Sequence, residues 1–155
     1  VMYDINTAIC NKNVEDMFVT VWLGIIDLTA GKMTCANAGH EYPILKKPGE
    51  QYEIVRDKHD LVLGAMKNLE YHEYEISMEP GSSLFLYTDG LSEAIYSDNR
   101  MFGINRILEN LNTDPGRSPE ETLLNMKEAV VGYTGGMEPF DDLTMMSFAY
   151  YGPML

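Results

Sequence analysis

Ser83 to Ala94 reads SLFLYTDGLSEA, an apolar run (Leu84-Phe85-Leu86-Tyr87) that stops on Thr88, a carboxylate at Asp89 and a glycine at Gly90. Bulky residues without polar alternation suit a strand buried on both faces. Asp89 then stands at the strand's mouth. Gly90 has no Cβ, so the chain can turn there and an ion or a phosphate can come close. A second acidic stretch, Asp141-Asp142-Leu143-Thr144, opens the last apolar run, Met145 to Tyr150. Carboxylates at the ends of neighbouring strands are hard oxygen ligands of the kind that magnesium and manganese take. Each stretch alone has an ordinary alternative, since aspartate and glycine are common turn formers after strands. Taken as a pair, they suggest that the rest of the chain serves to align two strand ends.

Outward from that anchor the pattern is that of an α+β chain. Met2 to Asn11 spaces Met2, Ile5, Ile9 and Cys10 as one face of a helix. Met17 to Ile26 is rich in β-branched and aromatic residues and predicts a buried strand. The stretch from Asp27 to Lys32 predicts a turn, and Met33 to Ala38 the returning strand of a hairpin. Short strands are expected at Ile44-Leu45 and at Tyr52 to Val55, around the turn at Lys47-Pro48-Gly49-Glu50. Leu61 to Gly64 is a brief apolar segment, Tyr71 to Met78 alternates like a half-exposed strand, and Glu79-Pro80-Gly81 turns it into the anchor. Ile104, Ile107, Leu108 and Leu111 space as a short helix that ends at Asp114-Pro115-Gly116. Ser118-Pro119-Glu120-Glu121 is a helix start, with Ser118 as cap, Pro119 at the first position and Glu121 three residues on, for a helix to about Val131. A loop from Gly135 to Phe140 and a strand from Leu143 to Tyr151 complete the chain.

A chain of 155 residues, 45% of them hydrophobic, fits one domain with a real core and argues against disorder. The net charge of -13 disfavours nucleic acid and anionic membranes as partners, and a soluble acidic surface explains it more readily than clustered ligand carboxylates do. Cys10 and Cys35 have no metal-ligand or CxxC spacing and read as reduced, buried thiols. No stretch has the apolar length of a membrane span and none reads as a signal peptide, so no membrane insertion and a cytoplasmic setting are expected.

Among other polar residues, His40, in Ala36-Asn37-Ala38-Gly39-His40, is open to three readings: a base, a phosphate contact or ligand, or a side chain that braces the end of the hairpin. Glu93 could brace its loop or be solvated, and is not placed among the ligands. Ser82, Ser83 and Ser92 lack a nucleophile elbow, and no glycine-rich phosphate loop is present. His59 and His72 suggest only structural or exposed roles, and the 11 methionines core filling.

Four stretches in order, Met17-Phe18-Val19-Thr20, Ala36-Asn37-Ala38-Gly39-His40, Leu86-Tyr87-Thr88-Asp89-Gly90 and Asp141-Asp142-Leu143-Thr144, resemble the SpoIIE-like bacterial branch of the metal-dependent protein phosphatases, the protein phosphatase 2C-like family. The resemblance extends to Phe102-Gly103 and the Ser118 helix start and so covers nearly the whole chain. It implies a mainly antiparallel β-sandwich flanked by helices, with two manganese or magnesium ions at one edge. It also implies hydrolysis of phosphoserine or phosphothreonine in proteins by a metal-activated water, without a phosphoenzyme. On that picture Asp89 and Asp141 are metal ligands, Gly90 permits the close turn, and Asp142 and Thr144 brace the loop.

This sequence departs from the family in one respect: the upstream Asp-Gly motif that supplies a bridging carboxylate is absent. Residues 1–155 are therefore expected to be the C-terminal portion of a single SpoIIE-like phosphatase domain, truncated at its N-terminus. As a fragment it is expected to bind metal weakly or not at all and to turn over little. The parent is expected to act on a phosphorylated protein, such as an anti-sigma factor antagonist, in bacterial signalling. An uncovered sheet edge would be met by a homo-oligomer or a partner chain. The competing readings are a non-catalytic regulatory or binding domain on the same fold and an acidic cation-binding module.

Overall fold

The computed structural model describes residues 1–13, 17–96, 100–135 and 142–153. Its elements, in chain order, are α1 (Met2–Lys12), β1 (Val21–Asp27), β2 (Lys32–Ala38), β3 (Ile44–Lys46), β4 (Tyr52–Ile54), β5 (Glu73–Ser77), β6 (Ser82–Tyr87), α2 (Asp89–Ser92), α3 (Gly103–Thr113), α4 (Pro119–Thr134) and β7 (Met145–Tyr150). The fold is α+β: a sheet in the order β1-β2-β5, a second in the order β4-β3-β6-β7, every described strand pair antiparallel, and helices. The chain forms two compact units, one of Val1–His40, Arg56–Ser77 and Pro153–Leu155, the other of Glu41–Val55 and Met78–Gly152.

In the first unit, the hairpin expected around Asp27 forms, with Val21 opposite Ala38 and Asp27 opposite Lys32. Asp27 closes it by accepting the N–H groups of Ala30 at 3.0 Å and Thr29 at 2.8 Å, which in that order hold its carboxyl below the usual aspartate range. The strand expected from Met17 begins only at Val21. Asn13 is the reason: its side chain accepts the Met17 N–H at 2.8 Å and donates to the Met17 carbonyl at 2.6 Å, so these groups are taken before a ladder can use them. Val19 makes only an isolated bridge to Leu63. Helix α1 turns the expected face inward through Met2 and Ile9, but not at Ile5. Ile5 is 42% exposed, while Asn6 is fully buried, accepting the Gly64 N–H and donating to the Met66 carbonyl, each at 2.9 Å. A side chain that satisfies two loop groups is worth more inside than one more aliphatic. Met2, Ala36, Ala38 and Leu63 make this unit's core.

In the second unit β6 is the central strand, paired with β3 on one side and β7 on the other, and it is buried on both faces as its composition requires. The Glu79-Pro80-Gly81 turn links strands of different sheets rather than closing a hairpin, since β5 pairs with β2. Phe85, Tyr87 and Ile44 pack with Leu91, Ile107 and Met126 in the core. Helix α4 starts as its sequence dictates. Ser118 Oγ accepts the Glu121 N–H at 3.3 Å, and the Glu121 carboxylate accepts the Ser118 N–H at 2.8 Å. The helix ends later than expected, at Thr134, where Gly135 adopts the left-handed conformation at φ 65°.

Candidate metal centre

The antiparallel register of β6 and β7 puts Tyr87 opposite Met145, so the residues after β6 and those before β7 meet at one end of the sheet. Three hydrogen bonds clasp them there. The Thr88 N–H donates to the Thr144 carbonyl at 3.0 Å, the Thr88 hydroxyl donates to the Asp142 carbonyl at 3.0 Å, and the same hydroxyl accepts the Thr144 N–H at 3.0 Å. A threonine can do this because its oxygen is donor and acceptor at once. Asp142 and Thr144 thus enter the clasp through main-chain groups. Asp141, the other expected ligand, lies outside the described residues.

Asp89 does not end in a turn, as the sequence suggests, but opens the one-turn helix α2. Its carboxylate is exposed and accepts the N–H of Gly90 at 3.0 Å, while its carbonyl accepts the Glu93 N–H at 2.7 Å. The structure gives Gly90 a steric reason of its own. A Cβ there would stand 2.6 Å from the Asp142 carbonyl oxygen and 3.0 Å from its carbon, so what comes close is the 142–143 backbone. Glu41 supports the same end from a third segment. Its carboxylate accepts from the Tyr87 hydroxyl at 3.4 Å and from the Ser92 hydroxyl at 3.3 Å. Burial, and then the Glu41 charge, pushes the Tyr87 phenol above its usual range, so Tyr87 stays a donor.

His40 belongs to the first unit, just past β2. Its N–H donates to Asn37 Oδ1 at 2.8 Å, its carbonyl accepts from Asn37 Nδ2 at 3.1 Å, and its Nδ1 lies 3.5 Å from the Thr20 hydroxyl. Gly39, at φ 71°, supplies the left-handed residue this corner needs, and a Cβ there would collide with Val62. Sequence reasoning passed over Thr88, Glu41 and Asp57 as residues that hold these places. Thr88 was visible beside Asp89, whereas Glu41 and Asp57 carry no spacing signal because their partners are distant in sequence.

For a hard divalent ion the chemistry at the end of β6 is suitable: an exposed carboxylate whose backbone is fixed by the Thr88 clasp. Among the described residues no group of three or more His, Cys, Asp or Glu side chains stands close enough to hold an ion.

Residues 1–150 match the sequence model of a family described as Stage II sporulation protein E (SpoIIE). Protein IcfG of Synechocystis sp. is 31% identical over 131 residues, 84% of this chain and 20% of that protein. Phosphoserine phosphatase RsbU of Bacillus subtilis is 27% identical over 96 residues, 60% of this chain and 28% of that protein. The chain thus spans less than a third of either relative. Among solved structures, the manganese-presoaked phosphatase domain of SpoIIE from Bacillus subtilis superposes with a TM-score of 0.68 at 15% identity, covering 99% of this chain and 76% of that one, which supports the fold. With its two antiparallel sheets, its clasped strand ends and a family match over nearly its whole length, the chain belongs to the SpoIIE family.

Proposed function

We propose that this chain is the C-terminal portion of a metal-dependent phosphatase domain that hydrolyses phosphoserine or phosphothreonine in a protein substrate. The observation that carries the reading is the β6–β7 register, with the Thr88 clasp that it permits, because it holds Asp89 beside the segment that follows Asp141. Asp89 and Asp141 are the proposed ligands of manganese or magnesium, with Gly90, Asp142 and Thr144 holding the loop and His40 bracing its own corner. A bound ion pair would supply an activated water and offset charge on the phosphoryl oxygens. This chain's own part is to fix a carboxylate at a set place, through hydrogen bonds that do not depend on the ion.

The relative RsbU, by name a phosphoserine phosphatase, supports the phosphoserine part of the reading; we extend it to a bacterial signalling substrate such as a phosphorylated anti-sigma factor antagonist. A cytoplasmic setting belongs to the same proposal, and no helix among the described residues is long and apolar enough to cross a membrane. The test compares this chain with one extended upstream through an Asp-Gly segment, using a phosphoserine protein and manganese. The expected result is turnover in the extended chain, its loss in Asp89→Asn and Asp141→Asn with the fold intact, and little turnover in the short chain. Full turnover by the Asp89→Asn variant would overturn the ligand assignment. An extended chain that folds and binds the phosphoprotein without hydrolysing it would favour a non-catalytic binding domain.

A further inference from the structure

Asp57 belongs to no strand or helix, yet its carboxylate is completely shielded from solvent. Its Oδ2 accepts from the Tyr74 hydroxyl at 2.6 Å and from Asn37 Nδ2 at 3.0 Å. His59 Nε2 stands 3.1 Å from Oδ1, an ion pair when the imidazole is protonated. Two branches leave this carboxylate. One runs through Tyr74 in β5 to Trp22 in β1, whose indole N–H donates to the Tyr74 oxygen at 2.7 Å. The other runs through Asn37, whose second N–H and whose carbonyl grip the main-chain oxygen and N–H of His40. A carboxylate is costly to bury without donors; two hydrogen-bond Oδ2 here, and the His59 imidazole stands beside Oδ1 without making a hydrogen bond to it. Burial, and then this charge, pushes the Cys35 thiol up to about 12.

A side-chain amide has a donor end and an acceptor end of nearly the same shape, so its surroundings must choose between two orientations. We propose that Asp57 is the positioning residue of the Asn37-Ala38-Gly39-His40 corner: an acceptor-only carboxylate admits the Asn37 NH2 group and repels its oxygen, which aims that oxygen at the His40 N–H. The reversed amide would oppose oxygen to carboxylate at one end and N–H to N–H at the other. Asp57 therefore acts on His40 through Asn37, and this inference stands independently of the phosphatase reading.

The test is amide hydrogen exchange and imidazole resonances of this chain by NMR, comparing Asp57→Leu, which removes the acceptor, with Asp57→Asn, which keeps a carbonyl for Tyr74 and Asn37. In Asp57→Leu the His40 amide is expected to exchange at least tenfold faster relative to the amides of the β1–β2 ladder, and the His40 ring signals to shift. In Asp57→Asn both should stay near wild type, with His40 exchange within about threefold. Equal acceleration of His40 and the ladder would mean a general loss of stability, and no acceleration would mean no link; either overturns the proposal. If Asp57→Leu lacks the cooperative melt of the wild type, Asp57→Ser, whose hydroxyl is too short to reach Asn37, replaces it with the same outcomes.

Discussion

Gly90→Ala sets two effects of opposite sign against each other. Gly90 lies in the first turn of α2 at a negative φ, so alanine suits its backbone, and helix propensity alone would stabilise the protein by about 0.5–1 kcal/mol. The added Cβ, however, would lie 2.6 Å from the Asp142 carbonyl oxygen, 3.0 Å from its carbon and 3.4 Å from the Leu143 Cα, all of them backbone atoms. No rotamer change relieves such a contact, and that backbone is tied to Thr88 by the three hydrogen bonds of the clasp. Opening the gap strains those bonds, at an overpacking cost on the order of 1–3 kcal/mol. The steric effect should win, leaving a net destabilisation of about 1 kcal/mol. With a typical urea slope of about 2 kcal/mol/M, the unfolding midpoint should fall by roughly half a molar at unchanged slope. A midpoint that stays or rises would show that the 142–143 backbone yields freely and would refute the close approach as the reason for glycine.

The same clasp predicts that Thr88→Val lowers stability by about 1–3 kcal/mol, by removing two hydrogen bonds at nearly constant shape, while Thr88→Ser keeps most of it; equal denaturation midpoints for the two variants would count against it. Glu121 titrates below the usual glutamate range because the Ser118 N–H, then the Ser118 hydroxyl, hydrogen-bond its carboxylate, so its contribution is present above the unfolded-state pKa and is lost as pH falls through the lower folded value. Protection factors of the first-turn amides of α4, taken against the intrinsic exchange rate at each pH, should therefore fall on acidification, and in Glu121→Gln that fall should vanish. For Cys35 the sign is reversed in pH: the folded thiol is raised to about 12, so its contribution is complete below the unfolded-state value of about 8.5 and disappears between the two. At pH 8 a thiol reagent should label partly exposed Cys10 first and reach Cys35 only through opening of the fold; equal labelling rates would contradict this.

Wherever neighbours in sequence decide the outcome, the sequence by itself determined this protein. The continuous apolar run of β6, the β1–β2 hairpin and the Ser118 capping box are local patterns, and each formed as the residues require. The order of four short motifs was enough to place the chain in its family. What only the tertiary structure decided are the matters settled by partners far away in the chain. Asn6 displaced Ile5 from the buried face of α1 because Gly64 and Met66, some sixty residues on, offered it two hydrogen bonds. Gly90 is glycine because of a carbonyl at Asp142, and Thr88 matters because Thr144 lies across the sheet from it. Asp57 looks like one charge among several in a polar loop until Tyr74 and Asn37 close around it. Hydrophobic periodicity records which face of an element turns inward. A hydrogen bond between distant residues leaves no period in the sequence, so these contacts could be read only once the chain had folded.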